Sequence, residues 1–167
     1  MYADTITVTN TNDSGPGSLR QALVDANDGD TITFAVTGTI GLASGELLVN
    51  KSITISGPGA ESLAVNGNAT SRVFHIGLSK TVTISGLTVT NGNASNQPAL
   101  DGGGIYNDHA TLTVSNCTIS NNAHTYTKTY SYTKITSGFA SASDTPMKKR
   151  SELQPPLSLL SSVEKFC

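Results

Sequence analysis

A chain of 167 residues is long enough for one domain with a hydrophobic core, and it gives no reason to expect two. Charged residues make up only 13% of it, about half the usual share of roughly 25%, so Thr, Ser, Asn and Gly supply most of the polarity. A net charge of -2 provides no positive electrostatic potential that would attract the phosphates of a nucleic acid. No stretch approaches the ~20 consecutive apolar residues of a membrane helix. We therefore expect no nucleic-acid partner and no membrane span.

The first distinctive element is a short helix near residues 18–27. Ser18 followed three residues later by Gln21 resembles a capping box, in which a hydroxyl accepts a hydrogen bond from the first helical turn. Four apolar residues fall on one helical face, namely Leu19, Ala22, Leu23 and Ala26. Because the first turn of a stacked fold exposes its interior, we interpret this helix as an N-terminal lid.

Strand patterns surround the helix. The runs over residues 5–10 and 31–36 open by alternating Thr with apolar residues, at the period of 2 that is typical of half-buried strands. Further strands are predicted over residues 47–49 and 72–76.

A repeat then organises the middle of the chain. Three segments share one pattern and begin at Lys51, Lys80 and Ala110, so the offsets are 29 and 30 residues. A fixed period of 20 to 50 residues is the signature of a solenoid. Each repeat therefore predicts one turn of a stack.

Alternation within the repeat predicts which side chains face the core. Val82 and Ile84 point one way and Thr83 the other, and Leu87 resumes the inward series after a corner at Gly86. Gly57 and Asn116 stand at the equivalent corners with residues that tolerate a left-handed backbone, and Cys117 takes the inward place of Leu87. Cys117 is therefore expected to be a small core residue.

Each turn needs a third strand, which residues 103–107 supply, while residues 93–101 form an outward loop. Three short strands per turn predict an all-β fold, a parallel β-helix with one short N-terminal capping helix. This domain covers residues 1–123. Residues 124–167 lose the register of the repeat and form an off-pattern tail. Within this tail, residues 126–136 are predicted to add one or two edge strands, and the remainder is predicted to be disordered. A truncation, a splice and a shifted reading frame stay open as origins of the tail.

Residues 5–13, 15–22 and 29–32 resemble the opening of bacterial CSLREA-type β-helix proteins, with Gly17 and Gln21 where the name-giving motif has Cys and Glu. The runs 102–107 and 112–116 resemble the repeats of polymorphic outer-membrane proteins. The similarity covers about residues 4–123. It implies a right-handed, pectin-lyase-like β-helix that is extracellular or displayed at the cell surface, although this chain opens without a signal-peptide pattern.

The best local cluster for ligand binding is Asp101, Asp108 and His109, beside the glycines at 102–104. Backbone can approach a ligand closely there, so a cation or a sugar is a candidate ligand. The competing interpretation is that the glycines form a tight strand entry and the acids are solvated. His75 is expected on the surface. No metal site, catalytic residue or cofactor is predicted.

The leading functional hypothesis is a non-enzymatic, exported or cell-surface β-helix module of the adhesion or scaffold type. Its partner would be a surface carbohydrate or a protein. One alternative is a polysaccharide lyase, a hydrolase or a carbohydrate-binding β-helix, although the acids do not recur at the spacing that paired catalytic carboxylates need. The other is a truncated fragment without independent function. An uncovered last turn, with Leu112, Val114, Cys117 and Ile119 at its edge, would favour end-to-end self-association.

Overall fold

The computed structural model describes residues 2–95 and 102–123, which contain one helix and twelve short strands. In chain order the elements are β1 Thr5–Val8, α1 Leu19–Asp25, β2 Thr31–Phe34, β3 Gly38–Gly41, β4 Leu47–Val49, β5 Thr54–Ser56, β6 Leu63–Asn66, β7 Phe74–Ile76, β8 Thr81–Ser85, β9 Thr88–Thr90, β10 Ile105–Asn107, β11 Thr111–Ser115 and β12 Thr118–Ser120.

The strands stack into three parallel sheets. Sheet A has the order β1-β2-β5-β8-β11, sheet B the order β12-β9-β6-β3 and sheet C the order β10-β7-β4. From β2 onward the chain visits A, B and C in turn before it returns to A. The fold is therefore a β-solenoid of about four turns with a single short helix, which confirms the predicted class.

The register of sheet A gives the length of each turn. Thr5 pairs with Thr31, Thr31 with Thr54, Thr54 with Thr83 and Thr83 with Thr113, so successive turns take 26, 23, 29 and 30 residues. The predicted offsets of 29 and 30 are confirmed. The two earlier turns are shorter, so β1 and β2 share the Thr-rich alternation of the repeat without its spacing.

The core is a column of apolar side chains inside the three sheets. The predicted inward residues Val82, Ile84, Leu87 and Val89 are at most 1% exposed. Hydrophobic burial stabilises a domain by roughly 25 cal/mol per Å² of apolar surface, so this column is the main source of stability. Cys117 packs against the column and is half-buried, as its place above Leu87 predicts.

Close backbone stacking explains the glycines at the corner between sheets A and B. Gly86 has a φ of +63° and Asn116 one of +52°, as predicted for that corner. Gly57 differs, because it has no left-handed φ. A Cβ at Gly57 would lie 2.2 Å from the carbonyl oxygen of Gly86, so glycine is required there by close approach.

Helix α1 packs against β1 and β4 and buries the predicted apolar face. The Ser18 side chain accepts a hydrogen bond from the Gln21 N–H, as a capping residue should. The reciprocal bond of a full capping box is absent, because the Ser18 N–H donates to the carbonyl oxygen of Gly15, while the Gln21 amide donates to Asp25. The helix is shorter than predicted and ends at Asp25.

Two strands were missed by the sequence patterns, namely β3 and β6. Strand β3 has glycine at both ends and only Ile40 pointing inward, so alternation is too weak to detect. The predicted strand over 72–76 begins only at Phe74, and Arg72 lies before it. Strands β1 and β2 each end two residues earlier than predicted.

The last described turn is less covered than those before it. Ile119 is 43% exposed, whereas Val89, one turn earlier in the same column, is 0% exposed. The predicted tail, residues 124–167, and most of the predicted loop over 93–101 lie outside the described residues. End-to-end association therefore stays a prediction.

Asp30 fastens the first two turns together. Its carboxylate accepts hydrogen bonds from the backbone N–H groups of Asp4 and Asn27, and the residue is 2% exposed. The Asn27 and Asp4 hydrogen bonds hold the pKa of Asp30 below its ordinary value of 3.8. The ionised carboxylate thus ties the start of β1 to the end of the lid segment.

Replacement of one core residue tests the inward column. We expect Ile84→Ala to lower the free energy of unfolding by about 2–5 kcal/mol, because a fully enclosed side chain leaves a cavity. Thr83→Ala, its outward neighbour in β8, should change that free energy by no more than about 0.5 kcal/mol. Urea denaturation measures both, and equal losses would contradict the assigned facing.

The pKa of Asp30 predicts a fall of stability in acid. Because this pKa is lower in the folded chain than in the unfolded one, the stabilisation is complete above about pH 5 and is lost as the pH falls through the folded value. We expect Asp30→Asn to flatten the acid limb of a plot of unfolding free energy against pH. Glu61→Gln, at an exposed position, should leave that limb unchanged; a wild-type acid limb in Asp30→Asn would be the contrary result.

Candidate functional site

The outer face of sheet C carries the most varied chemistry among the described residues. Strand register places Leu48, His75 and Tyr106 side by side on β4, β7 and β10. Neighbouring strands are about 4.8 Å apart, so the three side chains span about 10 Å. We call these three residues the sheet C row.

Two charged residues from separate chain segments, Glu46 and Arg72, lie beside this row. Glu46 immediately precedes β4, and one of its carboxylate oxygens, Oε1, lies 2.9 Å from Nδ1 of His75. Its second oxygen, Oε2, lies 3.2 Å from Nε of Arg72. One carboxylate therefore contacts both Arg72 and His75, which lie three residues apart in the next turn of the solenoid.

Arg72 is buried beneath the ring of Tyr106. The residue is 2% exposed, and its guanidinium carbon lies 4.5 Å from the centre of the Tyr106 ring. The rings of His75 and Tyr106 approach edge to face, with centroids 4.9 Å apart and planes at 60°. Cation–π and edge-to-face contacts each favour one ring orientation, so both rings are held in place.

A shallow groove continues the face between sheet C and helix α1. Its volume is about 380 Å³, and we call it the lid groove. Val24 on the helix and Leu48 on β4 are 68% and 51% exposed, so the walls include apolar surface open to solvent. The lining residues are Arg20, Leu23, Val24, Glu46, Leu47, Leu48, Asn50 and Lys51.

The cations of the lid groove are engaged in structural contacts. Arg20 donates to the Asp13 carboxylate at 2.8 Å and to the carbonyl oxygens of Gly45 and Glu46. Lys51 donates to the carbonyl oxygen of Ala26 at 2.8 Å, at the end of the helix. These bonds fix the lid to the residues on either side of β4.

Asp13 is the anionic half of the lid fastening. Partial burial raises the pKa of Asp13, but hydrogen bonds from Ser44 and Arg20, with the Arg20 charge, outweigh burial and hold the pKa below its ordinary value of 3.8. The carboxylate is therefore ionised at neutral pH and keeps Arg20 in position.

The predicted ligand-binding residues lie at the corner after β10, apart from Asp101, which is outside the described residues. Asp108 Oδ1 lies 2.8 Å from Nδ1 of His109, and the His109 side chain is 85% exposed. The structure shows this as a pair of adjacent residues in a turn, where His109 has a φ of +51°. A ligand site at these residues stays a prediction.

The glycines beside that pair have a packing role. A Cβ at Gly103 would lie 2.2 Å from the carbonyl oxygen of Ala123, and one at Gly104 would meet the Asn122 side chain at 2.8 Å. Glycine at these two positions lets residues 122 and 123 pack directly against the backbone that enters β10. That geometry agrees with the strand-entry interpretation of the run.

Sequence reasoning placed His75 on the surface and did not connect it to Glu46. The His75 side chain is only 24% exposed, because it is half-buried among Glu46, Arg72 and Tyr106. We call these four residues the sheet C cluster. Arg72 was expected at the start of a strand, but it is buried two residues before β7 begins at Phe74. An alignment of residues 47–49, 74–76 and 105–107 would have revealed the sheet C row, because each triplet carries one outward side chain between its end residues.

Metal and membrane chemistry find no support among the described residues. No three His, Cys, Asp or Glu side chains come together there in a way that could hold a metal ion. None of the helical residues in that part of the chain forms a segment long and apolar enough to cross a bilayer.

The chain matches no model of a known protein family, no curated protein and no solved structure.

The Glu46 carboxylate should hold the sheet C cluster together. We expect Glu46→Ala to lower the free energy of unfolding by roughly 1–3 kcal/mol, since the buried Arg72 loses a charged acceptor. The His75 ring should also change its orientation, because Nδ1 loses its Glu46 partner. The chemical shifts of the His75 ring protons in NMR spectra report this change. Glu61→Ala is the control at an exposed site. Unchanged stability and an unchanged His75 signal in Glu46→Ala would contradict the assigned contacts.

Proposed function

We propose that the chain is a non-enzymatic, exported or cell-surface β-helix module that acts in adhesion or as a scaffold. The observation that carries this proposal is the outer face of sheet A. Every outward position of its five strands is Thr or Ser. A surface of this kind presents many identical hydrogen-bonding groups and no charge.

The hydroxyls of sheet A form columns that follow the solenoid. One column runs through Thr31, Thr54 and Thr83, and a parallel one runs through Thr33, Ser56 and Ser85. Neighbours in a column are about 4.8 Å apart, and the columns are about 6.7 Å apart. Thr7 on β1 extends the second column by one turn, and its hydroxyl oxygen lies 3.3 Å from that of Thr33. Repetition gives many weak contacts with a hydrated partner surface.

Support for a location outside the cell comes from the resemblance of residues 4–123 to CSLREA-type and polymorphic outer-membrane proteins. The low content of charged residues, 13%, also suits a repetitive exterior rich in Thr, Ser and Asn. A carbohydrate-active enzyme is the second candidate, favoured by the 2.9 Å contact between Glu46 and His75, which resembles a carboxylate that orients a general base.

Beads that carry the purified chain test the adhesive face. We expect retention on a mucin-coated surface under flow, and we expect the double variant Thr54→Lys with Thr83→Lys to retain several-fold fewer beads, because two long cations interrupt the hydroxyl column. The matched control is Thr39→Lys with Thr118→Lys, which adds the same charge at exposed positions of sheet B. Equal losses in both pairs would count against sheet A as the binding face.

Enzymatic turnover is tested separately with neutral and uronate polysaccharides. The proposal expects no new reducing ends and no unsaturated products from either class. Product formation that disappears in His75→Gln would overturn the non-enzymatic assignment and favour the second candidate.

A further inference from the structure

We infer that the partner of the sheet A face is crystalline water, so that this face binds ice. The inference rests on the proposed function, because it names a partner for the same adhesive columns. It concerns eight outward residues on four strands of sheet A, which we call the hydroxyl grid. They are Thr31 and Thr33 on β2, Thr54 and Ser56 on β5, Thr83 and Ser85 on β8, and Thr113 and Ser115 on β11.

The hydroxyl grid has two fixed repeats. Strand pairing separates neighbours in a column by about 4.8 Å, and residues two apart in one strand separate the columns by about 6.7 Å. Strand β1 is left out of the grid, because the hydroxyl of Thr7 lies within hydrogen-bonding distance of that of Thr33, at 3.3 Å. The grid therefore presents its side chains on a nearly rectangular array.

Ice has nearly the same two repeats. Each water oxygen in ice bonds four neighbours at about 2.75 Å, the usual O–H···O distance. Tetrahedral geometry then places two oxygens that share a neighbour about 4.5 Å apart, and it gives a repeat of about 7.3 Å along the stacking axis of the lattice. The grid differs from ice by about 0.3 Å per step along a column and by about 0.6 Å between columns.

The side chains of the grid can absorb this difference. The three steps from β2 to β11 accumulate less than about 1 Å of mismatch, whereas a change of χ1 between staggered positions moves a hydroxyl by about 2 Å. Because Thr is β-branched, its χ1 is restricted before any partner binds, so little rotamer entropy is lost on a rigid surface. Regular backbone spacing and stiff side chains thus favour a crystalline partner.

The chemistry of the grid argues against other kinds of partner. Every outward position of β2, β5, β8 and β11 is Thr or Ser, so no charge on these positions would attract an ionic mineral or a phosphate group. A small ligand needs a concave site, and no residue of sheet A lines the lid groove. Each hydroxyl of the grid donates and accepts hydrogen bonds, as water does. An uncharged lattice of hydrogen-bonding oxygens is therefore the partner that matches the grid at every position.

Ice growth in the presence of the full chain tests the inference. A single ice crystal is held in a solution of the protein in a nanolitre osmometer, which measures the gap between the freezing and melting temperatures of that crystal. We expect a measurable gap and a faceted crystal, because adsorbed protein forces ice to grow as curved fronts between the adsorbed molecules. A round crystal without a gap would overturn the inference.

Variants assign the activity to sheet A. Thr54→Lys with Thr83→Lys should reduce the temperature gap several-fold, because two long side chains keep ice away from the remaining hydroxyls. Thr39→Lys with Thr118→Lys, at exposed positions of sheet B, is the matched control and should keep the wild-type gap. Thermal unfolding verifies that each variant is folded. An equal reduction in both double variants would overturn the assignment to the grid.

A mineral and a mucin surface separate the possible outcomes. We expect the chain to leave the growth of calcium carbonate crystals unchanged, and slower growth of that mineral without any effect on ice would overturn the inference. Mucin retention that depends on Thr54 and Thr83, combined with no effect on ice, would also overturn it and leave the proposed function standing. An effect on ice without mucin retention would support the inference and count against adhesion to mucin, so the two proposals fail separately.

Discussion

The register of parallel strands is the constraint on which the remaining structure depends. Side chains alternate with a period of 2, so a slip of one residue would turn the apolar column outward and the hydroxyl columns inward. The stack keeps one register from β1 to β11, with Ile32, Ile55 and Ile84 above one another. The same register brings Leu48, His75 and Tyr106 into one row. Core and surfaces are thus consequences of one alignment.

Much of this fold could be predicted from the residues alone. Two turns of nearly equal length, 29 and 30 residues, share a Thr-rich alternation, and the lid helix has a recognisable capping Ser18 and apolar face. Prediction failed where local pattern is weak. Strand β3 has one inward apolar residue, Ile40, between glycines, and β6 follows a longer connection from β5, so neither falls in phase with the repeat.

The sheet C cluster could not be predicted in the same way because its members come from turns of unequal length. Glu46, Arg72 and Tyr106 occupy three turns, and two of them lie outside or before a strand. No fixed offset connects them, and alternation reports only that His75 points away from the core. The predicted pair Asp108 and His109, by contrast, is adjacent in sequence, so its proximity required no tertiary information. Burial of Arg72 beneath an aromatic ring is a tertiary feature that a single strand pattern does not encode.

The most direct test of the central claim is a disulfide that closes only in the assigned register. With Cys117 and Cys167 replaced by Ser, cysteines at Thr54 and Thr83 should oxidise to an intramolecular disulfide, because register-paired Cα atoms lie about 4.8 Å apart. Cysteines at Thr54 and Ser85, displaced by two residues and about 8 Å apart, should stay reduced. Closure of the second pair in preference to the first would contradict the stacked register and, with it, the facing of the core, the hydroxyl columns and the sheet C row.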